Sequence, residues 1–154
     1  MPGTIEESID IAAPSDRLYD MVADLSRMGE WSPENKGGTW VGGATGAVEG
    51  ARFKARNSNG KRSWSSVATI LTANRPKEVA WESSALGLKI ALWRYRFEPN
   101  GQGGTTVVES TEDRRGRLMH VIGRTASGVA DRAAENKKNM RATLEQLKKA
   151  AEST

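Results

Sequence analysis

A series of short alternating strands runs into one long helical stretch, and this ending constrains the fold more than any other feature of the chain. Leu118, Ile122, Ala126, Val129, Ala133, Met140, Leu144, Leu147 and Ala151 recur at three- and four-residue steps or their sum. That spacing puts them on one side of a helix of about thirty residues, from about Leu118 to Ala151. Residues 118 to 130 hold one charge, Arg124, whereas Asp131, Arg132, Glu135, Lys137, Lys138, Arg141, Glu145, Lys148 and Lys149 crowd the remainder. The first half therefore reads as enclosed and the second as solvated. A sheet that curls around such a helix leaves a space between the two, either filled by side chains or open to a ligand.

The strands before the helix carry their own punctuation. Thr4 to Ile11 reads as an opening strand ended by Ala12-Ala13-Pro14. Pro14 starts a helix, capped by Ser15 or Ala13, whose buried face is Leu18, Tyr19, Met21, Val22 and Leu25. Asp24 to Gly29 makes a second short helix, broken at Trp31-Ser32-Pro33 because a residue before proline resists the helical region. Glycine is dense from Lys36 to Gly50, which gives turns around short strands. Strands follow over Ala51 to Asn57, Arg62 to Ala73, Glu78 to Ser84, Lys89 to Glu98 and Thr105 to Asp113, joined at Asn59-Gly60, Asn74-Arg75-Pro76, Leu86-Gly87 and Asn100-Gly101. The order is strand, two small helices, antiparallel meander, long helix, within one domain covering residues 1–154.

This order and several local phrases resemble the SRPBCC superfamily and, within it, the polyketide cyclase/dehydrase-like family. The phrases are Ile11-Ala12-Ala13-Pro14 leading to Leu18-Tyr19, Asp24-Leu25-Ser26-Arg27-Met28-Gly29-Glu30-Trp31-Ser32-Pro33, Gly50-Ala51-Arg52-Phe53, Trp93-Arg94-Tyr95-Arg96-Phe97-Glu98-Pro99, and the stretch from Met140 to Leu147. The resemblance implies an α+β helix-grip (START-like) fold, a curved antiparallel sheet wrapped around the C-terminal helix and enclosing a cavity for apolar molecules. It leaves the chemistry open, since members include ligand carriers, cyclases and hydroxylase components.

Composition removes several function classes. There is no cysteine, so no disulfide, thiol nucleophile or thiolate metal site is available. His120 is the sole histidine, which excludes a Ser-His-Asp triad and a multi-histidine metal centre; it reads as a residue of the surface or of the cavity mouth. No metal and no cofactor is expected. The glycine-rich segment lacks a phosphate-binding phrase between strand and helix, which argues against nucleotide binding. The start Met1-Pro2-Gly3-Thr4 has no basic stretch followed by an apolar run, and the expectation is a cytoplasmic protein, monomer or homodimer. The net charge of +4 is spread along the chain. Arg114-Arg115-Gly116-Arg117 forms either a solvated loop or a basic collar for transient contact with an anionic membrane surface, while the lack of interleaved aromatics argues against nucleic acid.

Five tryptophans, Trp31, Trp40, Trp64, Trp81 and Trp93, stand beside two phenylalanines and two tyrosines. Period-two alternation puts Trp93, Tyr95 and Phe97 on one face of their strand, and Val107, Glu109 and Thr111 on one face of the next. These rings either fill the core or line a pocket with few polar groups. The expected cavity residues are Trp31, Phe53, Trp64, Trp81, Trp93, Tyr95, Phe97, Val107, Glu109, Met119, Ile122 and Met140, with Trp31 and Trp64 equally placed for a rim. Further polar candidates are Thr111, Asn57, Arg94 or Arg96, and His120. Glu109 either points inward with Tyr95, where an apolar pocket would raise its pKa and suit it to acid/base work, or outward beside an arginine. Three functions follow: a carrier or sensor of a lipid, isoprenoid or polyketide-like molecule, a cyclase or dehydratase using Glu109 or Tyr95, or an interaction module presenting Lys137, Lys138 and Arg141.

Overall fold

A computed structural model describes residues 4–117 and 131–153. Seven strands, β1 (Thr4–Ile11), β2 (Asn35–Val41), β3 (Arg52–Asn59), β4 (Arg62–Asn74), β5 (Glu78–Ala85), β6 (Leu88–Pro99) and β7 (Thr105–Asp113), form one antiparallel sheet. Their order is β1-β7-β6-β5-β4-β3-β2, so the first strand closes onto the last and the meander runs outward from there. Register shifts at Asn35/Gly38, Ile70/Thr72 and Ser83/Ser84 mark places where an extra residue bends a strand and helps the sheet curl.

Between β1 and β2 lie α1 (Ser15–Ala23) and a 3-10 turn (Leu25–Glu30). The N-cap of α1 is Pro14, which has no side-chain oxygen to offer, so neither Ser15 nor Ala13 takes the capping role expected of it. Leu18, Tyr19, Met21, Val22 and Leu25 are buried as their spacing requires. Tyr19 meets Phe97 edge to face at 5.7 Å between ring centroids, which fastens α1 to the sheet.

The C-terminal helix, α2 (Arg132–Glu152), is shorter than the periodicity suggests. Asp131 has non-helical backbone angles, and its side chain accepts a hydrogen bond from the Ala134 N–H at 3.0 Å. An N-cap of this kind starts a helix afresh, so the stretch from Leu118 to Ala151 is not one continuous helix. Leu118, Met119, His120, Ile122, Ala126 and Val129 lie outside the described residues. Met140, Leu144, Leu147 and Ala151 form the buried stripe of α2, whereas Ala133, grouped with them by spacing, is exposed. The helix packs against β1 and β7, and the 3-10 turn against β2. Away from the cavity the core is built around Ile11, Leu18, Phe97, Val107, Leu144 and Leu147, and the same buried cluster continues through Phe53, Trp81 and Tyr95 to the cavity wall.

Candidate functional site

At the other end, sheet and α2 do not meet, and a cavity of about 130 Å³ remains between them. Direct cross-strand pairing sets its wall. Trp81 lies opposite Trp93, Tyr95 opposite Glu109, and Phe53 opposite Ala68, each pair on the concave face. Trp81 and Tyr95 are stacked at 5.7 Å with 21° between their planes. Phe53, Trp81, Trp93, Tyr95, Glu109 and Met140 thus line the space, together with Leu25 and Met28 of the 3-10 turn.

The other expected residues have different places. Phe97 and Val107 are buried in the core beside α1 rather than on the cavity. Trp31 is buried under Arg27, whose guanidinium carbon lies 5.0 Å from its ring centroid, and is not part of the lining. Trp64 shares the concave face with Asn57, its register partner, but sits at the hairpin end with Arg132 over its ring at 5.6 Å. It is a rim residue. Arg94 and Arg96 point to the outer face, paired with Glu78 and with Glu6 and Glu98. Thr111 is buried opposite Trp93. Arg114 pairs with Glu82 and Glu112, and Arg115 with Asp113, so two members of the basic loop have acidic partners. On α2, Lys137 and Arg141 both reach Glu7 of β1.

Glu109 faces inward and is 3% exposed, which excludes the outward alternative. Burial pushes its carboxyl from an ordinary 4.5 up to about 8, opposed by a hydrogen bond from the Tyr95 hydroxyl and reinforced by the Glu7 carboxylate opposite it on β1. Burial also holds the Tyr95 hydroxyl well above its ordinary value, with Glu109 adding to the effect. Both groups are therefore protonated at neutral pH. The pair can donate hydrogen bonds and exchange a proton, and it offers little as an anionic nucleophile.

A polar arc completes the site, and of its members the sequence points to Asn57 alone. Asn136, Asn139 and Thr143 of α2 face the cavity one helical turn apart, opposite Asn57, Ser66 and Ser83 of the sheet. Asn57 donates to the Ser66 hydroxyl at 3.0 Å. At the mouth Arg132 pairs with Glu34 at 2.7 Å, and Asn59 donates to Glu34 at 2.7 Å and to Glu135 at 3.2 Å. This network ties the segment before β2, the β3–β4 hairpin and the start of α2 together. The signal for the helix residues lies in the sequence, because positions 136, 139, 140, 143 and 144 share one helical face, the polar ones beside the apolar ones. Among the described residues no cluster of His, Cys, Asp and Glu is arranged to hold a metal, and no helix is long and apolar enough to cross a membrane.

A curved sheet gripping a C-terminal helix around an internal cavity defines a helix-grip protein. The sequence matches the family model described as polyketide cyclase / dehydrase and lipid transport over residues 2–152. The chain belongs to that family. Among solved structures, the polyketide-cyclase-like protein Cgl2372 from Corynebacterium glutamicum is similar at 28% identity and a TM-score of 0.60, with 99% of this chain and 93% of that chain covered. Ara h 8.0201 has the same fold at a TM-score of 0.73 and 13% identity, with both chains covered in full at 100%. The di-domain ARO/CYC protein BexL from the BE-7585A biosynthetic pathway matches at a TM-score of 0.72 and 17% identity over 98% of this chain, which spans 50% of BexL. No curated protein matches the sequence.

Proposed function

We propose that the protein binds a hydrophobic small molecule, as a carrier or sensor, in the space between the sheet and the first half of α2. The observation that carries this reading is the asymmetry of the interior: apolar side chains packed together at the α1 end, and at the other end an aromatic wall facing a hollow with a few converging polar groups. Such a surface suits a flat or ring-containing ligand, whose apolar area the indoles cover while the asparagines and Glu109 orient it. The test is native mass spectrometry of the purified protein, with titration of tryptophan fluorescence by isoprenoids, fatty acids and aromatic polyketides. Saturable quenching that disappears in Trp93→Ala and Tyr95→Ala supports the reading, and no bound mass with no quenching defeats it.

A second reading rests on the Tyr95–Glu109 pair. Two protonatable side chains joined by a hydrogen bond at the wall of an apolar cavity could protonate a carbonyl or hydroxyl of a bound substrate, the chemistry of a cyclase or dehydratase. Glu109→Gln separates the two readings. Under catalysis turnover is lost with binding retained, whereas under simple binding no product forms with either protein.

A further inference from the structure

Among the described residues, the lining of this cavity contains acids and no cation. Glu34, Tyr95 and Glu109 are the titratable groups among the described lining residues, and no Lys, Arg or His accompanies them, in a chain whose net charge is +4. Glu34 is matched at the mouth by Arg132. Glu109 has no such match. β1 faces it with Glu7, β6 faces it with Tyr95, and the α2 cations nearest that edge, Lys137 and Arg141, are paired with Glu7. Among the described residues the Oε1 of Glu109 also has no hydrogen-bond partner. With the Tyr95 hydroxyl donating to the carboxyl, a neutral Glu109 has one polar function left unused, its O–H donor.

Taking the cavity as the ligand site, we propose that Glu109 sets its specificity: the cavity selects an uncharged ligand that presents an acceptor oxygen to the Glu109 carboxyl, and it rejects carboxylates such as fatty-acid anions. A buried donor without an acceptor is costly, and a carbonyl or similar oxygen removes that cost when it binds. A site built to hydrogen-bond one group discriminates strongly against ligands lacking it. A carboxylate ligand would surrender its hydration, find no counter-ion among the described lining residues and meet acids instead. An ammonium ligand would require Glu109 to ionise opposite Glu7 in a place where burial already favours the neutral acid, and a buried pair formed there recovers little of its desolvation.

Three probes of nearly equal shape test this by equilibrium dialysis: acetylnaphthalene, naphthoate and naphthylmethylamine. At about pH 6.5 the ketone is expected to bind, with the anion and the ammonium each weaker by about a hundredfold or more. Raising the pH to about 9.5 ionises Glu109 and is expected to weaken ketone binding about thirtyfold, because only the protonated fraction is competent. Glu109→Gln keeps a donor that does not titrate, and its ketone affinity is expected to be flat over the same range. Naphthoate or the ammonium binding as well as the ketone overturns the proposal, as does ketone binding by the wild type that ignores pH. If none of the three binds, the ligand-site reading fails and the proposal with it. The wild-type comparisons decide the matter even if the variant does not fold.

Discussion

Replacing Glu109 by Gln tests the electrostatics of the interior without any ligand. The folded protein holds this carboxyl protonated up to about 8, whereas in the unfolded chain it ionises near its ordinary 4.5. Between those values the folded state binds the extra proton, so stability falls as pH rises. The contribution is fully present below the unfolded pKa and is gone once pH passes the folded one. Integrating over the window from about pH 5.5 to about pH 9 gives a loss of about 3 kcal/mol from this one group. The amide of Gln does not titrate, has nearly the same shape and can accept the Tyr95 hydroxyl bond. Contacts that do not involve Glu109 are common to both proteins and cancel in the difference. Urea denaturation of wild type and variant at several pH values measures it directly. The variant is expected to gain on the wild type steadily across the window, reaching about 3 kcal/mol at the alkaline end. Two stability profiles that stay parallel would falsify the claim that Glu109 is buried and neutral.

The other predictions concern packing and capping. Leu147 is fully buried between α2 and the sheet, so Leu147→Ala is expected to cost about 3 kcal/mol in urea denaturation, and a cost below about 1 kcal/mol would contradict the close packing. Asp131→Ala removes the cap that starts α2 and should cost about 1 kcal/mol, whereas an unchanged melting temperature would mean the helix does not begin there. A Cβ at Gly38 would collide with the Lys54 carbonyl and lie 2.7 Å from the Phe53 ring. Gly38→Ala is therefore expected to destabilise by at least about 2 kcal/mol and to disturb the Phe53 side of the cavity; a variant as stable as wild type would refute the β2–β3 register. A double-mutant cycle of Arg132→Gln with Glu34→Gln should show a coupling of about 1 kcal/mol, and strict additivity would show that the mouth network contributes no pairwise energy.

The parts legible in the sequence were those with a strict period. Alternation puts Trp93, Tyr95 and Phe97 on one face of their strand and Val107, Glu109 and Thr111 on one face of the next, and the structure adds the register, with Trp93 opposite Thr111, Tyr95 opposite Glu109 and Phe97 opposite Val107. Strand alternation states which residues share a face, but it does not state how far along the strand the core ends and the cavity begins. Phe97 fell on the core side of that boundary because α1 brings Tyr19 against it, a contact made by residues far away in sequence, and Val107 is buried opposite Phe97 on the next strand. The direction of Glu109 was ambiguous for a related reason: an acid on a central strand is ordinarily outward, and only closure of β1 against β7 puts Glu7, Glu109 and Tyr95 side by side on the concave face. The length of the last helix misled because periodicity carries across a cap, and Asp131 can act as a helical charge or an N-cap with equal ease. The asparagines of α2 were invisible to a search for apolar stripes.

The buried acid is difficult to explain as a structural element. At neutral pH the protonated Glu109 makes the fold less stable than an untitratable residue of its shape would, by about 3 kcal/mol relative to its value in acid. It does not close a hydrogen-bond network, since Oε1 has no partner among the described residues, and it does not hold a cation in place. Stability resides at the opposite end, where Leu18, Phe97, Val107, Leu144 and Leu147 form a continuous apolar contact. Gln or Leu at position 109 would leave that core unchanged. A residue that weakens the fold, faces a hollow and has an unused donor is a local conflict of the kind the proposed ligand site would account for and packing does not. The polar residues of α2 support the same conclusion. Asn136, Asn139 and Thr143 face the hollow where Leu144 and Leu147, further along the same helix, face the core. The change from apolar to polar along one helical face therefore coincides with the boundary between the part of the interior that holds the protein together and the part suited to holding something else.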